Sequence, residues 1–183
     1  PTVAGALAFV RGTEFIFHPV NRLDKGTTGL MVVAKSGYIH DRLRYALHTE
    51  RFCREYRAVC IGCPDPKSGT IDAPIARLNG SLIQRTVDFA SGERSVTHYR
   101  TLAHCSVFSH LELNLETGRT HQIRVHMAYI GHPLLGDTLY NKTPGTFPRQ
   151  ALHSASLSFV HPITGEPLTF HAPLPEDMQN LLT

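Results

Sequence analysis

The chain has 183 residues, 42% of them hydrophobic, and a formal charge of +3. That is enough for one large domain or two small lobes around a real core, with the balance of a soluble globular protein. No apolar run approaches the roughly 18 residues that cross a bilayer, and no signal-peptide pattern opens the sequence.

The first residue is Pro1, as in a processed chain or a fragment of a longer one. GLMVVAK (29–35) is short, apolar and β-branched, and predicts a central strand. SGYIHDRLRYALHTE (36–50) predicts a helix: Ser36 caps it, and Ile39, Leu43, Ala46 and Leu47 recur at helical spacing. FCREYRAVCIG (52–62) alternates as a strand does, and GCPDPKSG (62–69) has the composition of a loop. RTVDFA, SVTHYRTLAHC and VFSHLELNLET follow as strands between 85 and 117. THQIRVHMAYIG (120–131) predicts a second helix, with Thr120 as cap, an apolar stripe at Ile123, Met127 and Ile130, and Gly131 with Pro133 as its stop. GHPLLGD (131–137) is rich in turn residues. ALHSASLSFVHP and PLTFHAPLP read as strands, and PEDMQNLL as a short closing helix with Pro175 at its start. Strands outnumber helices and follow one another directly. This argues for an α+β fold with a mostly antiparallel or mixed sheet.

The positive charge is carried by 14 arginines against 4 lysines. Guanidinium is planar and permanently charged, and it suits phosphates and stacks on bases. Arg42, Arg44, Arg51, Arg54 and Arg57 crowd one stretch; they make either a solvated face or a set of phosphate contacts. The thiols Cys53, Cys60, Cys63 and Cys105 include one C-x-x-C pair with no second pair to complete a zinc site, so reduced, mostly buried thiols in a cytosolic protein are expected.

Four polar clusters compete as candidate sites: NRLDKGTTG, REYRAV, ETGRTHQIRVH and LHSASLSFVHPITGE. The first lacks the order of a phosphate loop. In the third, His121 and His126 are five apart, about 140° around a helix, so they do not share a face as paired zinc ligands do. A metal hydrolase built on scattered histidines is the weaker reading for that reason. No G-x-S-x-G elbow surrounds Ser154 or Ser156. Taken singly, Asp24 reads as a turn residue, Tyr56 as a packed strand tyrosine and Arg124 as an ion-pair partner.

Together the clusters carry more. RLDKGTTGLMVVAK, EYRAV, GRTHQIRVHMAYIGHPLLGD and LHSASLSFVHPITGEPLTFHAPLPED resemble, in order and spacing, the ordered motifs of the RluA family of RNA pseudouridine synthases, over residues 18–177. The resemblance implies an α+β fold with a long curved mixed or antiparallel sheet flanked by helices and loops, and an active-site cleft between two lobes. It implies an isomerase that breaks the N1–C1′ bond of uridine in RNA, turns the base and joins C5 to C1′, with no metal and no organic cofactor. It assigns catalysis to Asp24, Tyr56 and Arg124, and to Arg22 the displacement of the target base. Thr28, Arg119, His121 and Gln122 are the candidate substrate-binding residues beside them.

An anionic carboxylate at position 24 would attack C1′ or C6, or assist loss of a ribose proton. A guanidinium at position 124 favours that anion, and Tyr56 would stack on the uracil and serve in proton transfer. The partner implied is ribosomal or transfer RNA, not a membrane, for a cytoplasmic monomer. Residues 1–183 are expected to form one catalytic domain without the family's early NKPxGxxVHP motif or an accessory RNA-binding domain. Asn21, Thr28 and Arg54 stand where the family carries His, Ser and Lys. A non-catalytic RNA-binding or chaperone module is the alternative from another class.

Overall fold

A computed structural model describes residues 2–12, 14–47 and 49–182. In chain order the elements are α1 (Val3–Arg11), β1 (His18–Pro19), β2 (Thr28–Gly29), β3 (Val33–Ala34), α2 (Gly37–Ala46), β4 (Phe52–Ile61), β5 (Ser68–Asp72), β6 (Ile75–Arg77), β7 (Arg85–Val87), β8 (Val96–His104), β9 (Phe108–Leu115), α3 (Gln122–Tyr129), β10 (Leu152–Val160), β11 (Pro167–His171) and α4 (Glu176–Gln179). The main sheet runs β11–β10–β4–β9–β8–β5, antiparallel throughout, and β2 adds to β10 in parallel. This is the mixed sheet of an α+β fold, as expected. Among the described residues no helix is long and apolar enough to cross a membrane.

The expected strand at 29–35 is the main correction. Its two ends serve different sheets: Thr28 and Gly29 pair with His153 and Ser154, while Val33 and Ala34 pair with Pro19 and His18. Between them Leu30 N–H donates to Ser154 C=O and Val32 N–H donates to Asn21 Oδ1. Apolar, β-branched composition marks extended backbone here, without the continuous pairing of one strand. Gly29, at φ +103, passes so close to Ser154 that any Cβ would strike its backbone, so only glycine fits. The second helix also starts later than its sequence suggests. Its first residue is Gln122, and its cap position is His121 rather than Thr120.

The core lies mainly against one face of β4, the one that carries Phe52, Tyr56, Ala58 and Cys60; Val59, on the other face, packs with Ala151 and Met178. Tyr56, Ala58 and Cys60 pack with Leu111, Leu113, Ile123 and Met127. Phe52 joins Leu43 of α2, Leu157 and Phe159 in a second cluster. Helix α3 is buried from Gln122 through Met127 and opens to solvent only at its end, at Tyr129, and the polar side chains of its buried stretch are each hydrogen-bonded. His126, at 0% exposure, donates from Nε2 to Ala73 C=O at 2.9 Å and accepts at Nδ1 from the Thr97 hydroxyl at 2.8 Å.

Burial holds His126 below its ordinary 6.5; it also lowers His110 and His153. Below the ordinary value the unfolded chain takes up protons that the folded chain refuses, so stability falls as pH drops. The unfolding free energy, and with it the urea midpoint, should therefore decline on acidification from about pH 7.5 to about pH 5.5, the free energy by at most about 1.4 kcal/mol per pH unit for each such histidine. A midpoint flat across that window would contradict the buried, neutral state of these rings.

Candidate active site

Asp24 opens a four-residue turn closed by Thr27 N–H donating to Asp24 C=O at 2.9 Å. Gly26 stands third in it at φ +86, the place a type II turn reserves for glycine. The turn is clamped from outside. Gln150 Nε2 donates to Lys25 C=O at 2.7 Å and to Thr27 Oγ1 at 3.0 Å, and Arg149 Nη1 donates to Gly26 C=O at 3.1 Å. Arg149 is itself locked by two bonds to Asp177 at the start of α4. The chain's last elements thus fix the position of a carboxylate more than a hundred residues earlier.

Strand β4 supplies the next group by its period of two. Arg54 and Tyr56 lie on its buried face and point to the cleft; Glu55 and Arg57 lie on the other. Arg57 is occupied there by Glu55 at 2.9 Å and Glu112 at 2.6 Å. Opposite Tyr56 the pairing of β10 with β4 breaks register between Ser154 and Ser156. Such bulges recur beside functional sites, where they re-aim a side chain. Burial raises the Tyr56 phenol above its ordinary value, so the phenol keeps its proton at neutral pH.

Helix α3 supplies the cation. Arg124 Nη1 is 3.4 Å from Asp24 Oδ2. Its closer partner is Asp137, which accepts from Nε at 2.7 Å and from Nη2 at 2.8 Å in a bidentate pair. Asp137 has a fully buried side chain and also accepts from the N–H groups of Leu139 and Tyr140. Gly136, at φ +73, brings the backbone into this corner, where a Cβ would strike the Arg149 carbonyl. Burial works against the guanidinium's charge, but Asp137, and behind it Asp24, outweigh burial and hold its pKa above the ordinary value. Tyr140 lies under Arg124 at 5.0 Å from ring centre to Cζ. His121 Nε2 is 4.0 Å from the other Asp24 oxygen.

These groups meet in a cleft of about 690 Å³. Asp24, Tyr56, Arg22, Arg119, His121 and Gln122 line it, and Arg124 reaches Asp24 from behind. Arg22 stands exposed on its wall, with no side-chain partner among the described residues. Arg119 bonds Arg94 C=O and pairs with Glu93. Gln122 is buried and fully used, accepting from Thr117 and Arg119 N–H and donating to Val96 C=O and Thr97, so it shapes the loop above the cleft. Thr28 is placed elsewhere: its hydroxyl bonds His153 Nδ1 at 2.8 Å, and its neighbour Thr27 lines the cleft.

Three further residues belong to the site. Asp137 closes the quoted motif that begins at Gly118, yet nothing in a turn-rich GHPLLGD marks its acid as buried. Tyr140 lies just beyond that motif. Arg54 is 4% exposed, lines the cleft and has no carboxylate partner. It donates from Nη2 to Thr117 C=O at 3.2 Å and rests where a Cβ on Gly118 would come within 2.6 Å of Nη1. Of the five arginines between 42 and 57, Arg44 and Arg54 line the cleft and Arg57 faces away from it. The expectation of mostly buried thiols fails: Cys53 and Cys105 are exposed and Cys63 is half-buried, while Cys60 alone is buried, and burial pushes its thiol up to about 12, away from the reactive thiolate. His121 and His126 point into different surroundings, and among the described residues no three His, Cys, Asp or Glu side chains converge as metal ligands.

Residues 8–129 match the family model of RNA pseudouridylate synthases. The chain is 48% identical over 171 residues to a protein of Bacillus subtilis (strain 168) named uncharacterized RNA pseudouridine synthase YjbO, covering 93% of this chain and 60% of that one. It is 50% identical over 173 residues to ribosomal large subunit pseudouridine synthase D of Vibrio cholerae, covering 87% of this chain and 53% of that one. The chain thus spans between half and three-fifths of the length of these curated relatives. Among solved structures, human RNA pseudouridylate synthase domain containing 1 superposes with a TM-score of 0.78 at 25% identity, over 94% of this chain and 74% of that one.

Proposed function

Because the chain belongs to the RluA family of RNA pseudouridine synthases, we propose that it isomerises uridine in large-subunit ribosomal RNA to pseudouridine, with Asp24 as the catalytic carboxylate. One observation carries the reading. An acid on a clamped turn, a buried tyrosine and a buried arginine, drawn from three distant stretches, converge on one cleft. A solvated turn would need none of that support.

Uridine within a strand cannot reach Asp24 unless it leaves its stack, at a cost of a few kcal/mol. Arg22, exposed at the cleft and without a side-chain partner among the described residues, can enter the gap the base leaves. With the nucleoside in the cleft, a carboxylate oxygen of Asp24 attacks C1′ or C6, or takes a ribose proton, as the N1–C1′ bond breaks. The uracil turns, C5 bonds to C1′ as the bond from Asp24 breaks or the ribose proton returns from it, C5 gives up its proton and N1 gains one. Atoms and electrons balance without any co-reactant. Tyr56 lies against the base, where its phenol serves in the proton transfer from C5. Arg44, Arg54 and Arg119 offer phosphate contacts that set position rather than sequence.

The relatives named for the large ribosomal subunit favour ribosomal over transfer RNA as the substrate. The protein acts as a monomer in the cytoplasm on this reading. The test is incubation of the recombinant chain with large-subunit ribosomal RNA and, separately, with transfer RNA transcripts. Carbodiimide-resistant reverse-transcriptase stops at discrete uridines of the ribosomal RNA are expected. No stop on either RNA, with binding intact, would favour a non-catalytic RNA-binding module instead.

A further inference from the structure

His121 is the one non-glycine residue with positive φ among those described, at φ 59. A left-handed backbone is costly for a residue with a Cβ and persists where the surroundings impose it. Here it turns the imidazole of the α3 cap position into the cleft. Nδ1 is 2.7 Å from Tyr140 Oη, and the two rings meet edge to face. Tyr140 Oη also accepts the Arg85 backbone N–H at 2.9 Å, from β7. With that lone pair engaged, the phenol's single proton is free for Nδ1. A neutral imidazole that accepts at Nδ1 carries its own proton at Nε2. Nε2 is the nitrogen that faces Asp24 Oδ1 at 4.0 Å, while Arg124 faces Oδ2 at 3.4 Å.

We propose that Tyr140 is a positioning residue: its hydroxyl fixes His121 in the Nε2–H form, so that His121 presents an N–H toward one oxygen of Asp24 while Arg124, stacked on the Tyr140 ring, bonds the other. The inference rests on the role of Asp24 given above. One aromatic side chain thereby controls both donors around the reacting carboxylate, and Arg85 ties it to the β6–β7 hairpin. The charged groups around His121 are Asp24, Asp137, Arg124 and Arg85. Burial, with both arginines, outweighs the two acids and keeps the ring below its ordinary 6.5. The neutral form is therefore the one present near neutral pH.

Tyr140→Phe keeps the ring under Arg124 and removes only the hydroxyl. Single-turnover pseudouridine formation is expected to slow about tenfold, with RNA affinity within about twofold, because the loss falls on orientation in the transition state. Long-range proton–nitrogen NMR should report Nε2–H for His121 in the wild type and a mixed or Nδ1–H form in the variant. His121→Gln, which keeps an N–H donor at the same reach, should retain more activity than His121→Ala. An Nδ1–H tautomer in the wild type, or an unchanged rate for Tyr140→Phe beside an active wild type, overturns the proposal while leaving the function intact. An inactive wild type defeats the function itself and this role with it.

Discussion

Asp24→Asn is expected to stop pseudouridine formation, by a factor of about 10³ or more, and to leave RNA binding intact. The amide has nearly the shape of the carboxylate and fits the same clamped turn, but it neither attacks carbon nor takes a proton at neutral pH. Removing the negative charge also removes repulsion toward phosphates, with Arg124 and Arg22 still in place. Affinity should therefore hold or rise. Tritium release from RNA carrying 5-tritiated uridine measures the chemistry, since C5 must lose its hydrogen, and filter binding measures the complex. Residual turnover near the wild-type rate would remove Asp24 from the reaction.

The largest effect on stability is expected at Asp137. Its carboxylate is fully buried, holds Arg124 by two short bonds and caps the N–H groups of Leu139 and Tyr140. Asp137→Ala strands a buried guanidinium, and breaking such a pair from one side costs about 3–5 kcal/mol. Against a total stability of about 5–15 kcal/mol this is a large share. Activity should fall as well, because Arg124 is then drawn to Asp24 as its sole acid and leaves the geometry that the pair imposes. Asp137→Asn, which keeps acceptors for the backbone N–H groups, should be milder. Urea unfolding of the three proteins decides it. A midpoint for Asp137→Ala equal to that of the wild type would mean that the pair contributes nothing.

Much of this arrangement was legible in the residues. Strands β4 and β9 follow from their alternation, buried at Phe52, Arg54, Tyr56 and Ala58 and at Ser109, Leu111 and Leu113, and helix α2 from the spacing of Ile39, Leu43 and Ala46; β8, with Val96 and Thr97 both buried and its last residues exposed, follows from its β-branched and aromatic composition instead. The Ser36 cap lies where the sequence suggests it, with its hydroxyl accepting from Ile39 N–H. Convergence of Asp24, Tyr56 and Arg124 was legible only through the order of four motifs, since no spacing rule joins residues so far apart. What stayed hidden depends on long-range pairing. The neighbours of β4 in the sheet come from residues 108–115 and 152–160, so nothing local reveals that GLMVVAK divides between two sheets. Arginines 54 and 57 look equivalent in REYR. Only the register of β4 sends one into the cleft and the other to Glu112. Helix α1 was not anticipated, and its Val3–Arg11 stretch buries no residue that would have imposed a periodicity. Asp137 carries no local mark of its burial, because turn composition explains an acid in GHPLLGD without a buried partner.

The decisive measurement is a crystal structure of the protein with an RNA carrying 5-fluorouridine at the uridine that the stops identify. Fluorine at C5 cannot leave as a proton, so the reaction is held before completion. The fluorinated base should lie outside its stack, in the cleft against Tyr56, with Arg22 in the vacated space. An Asp24 oxygen should then be bonded to the nucleoside or within about 3.5 Å of its C1′, C2′ or C6. A base still stacked in its strand, or a carboxylate turned away from the sugar and the ring, would contradict the role assigned to Asp24.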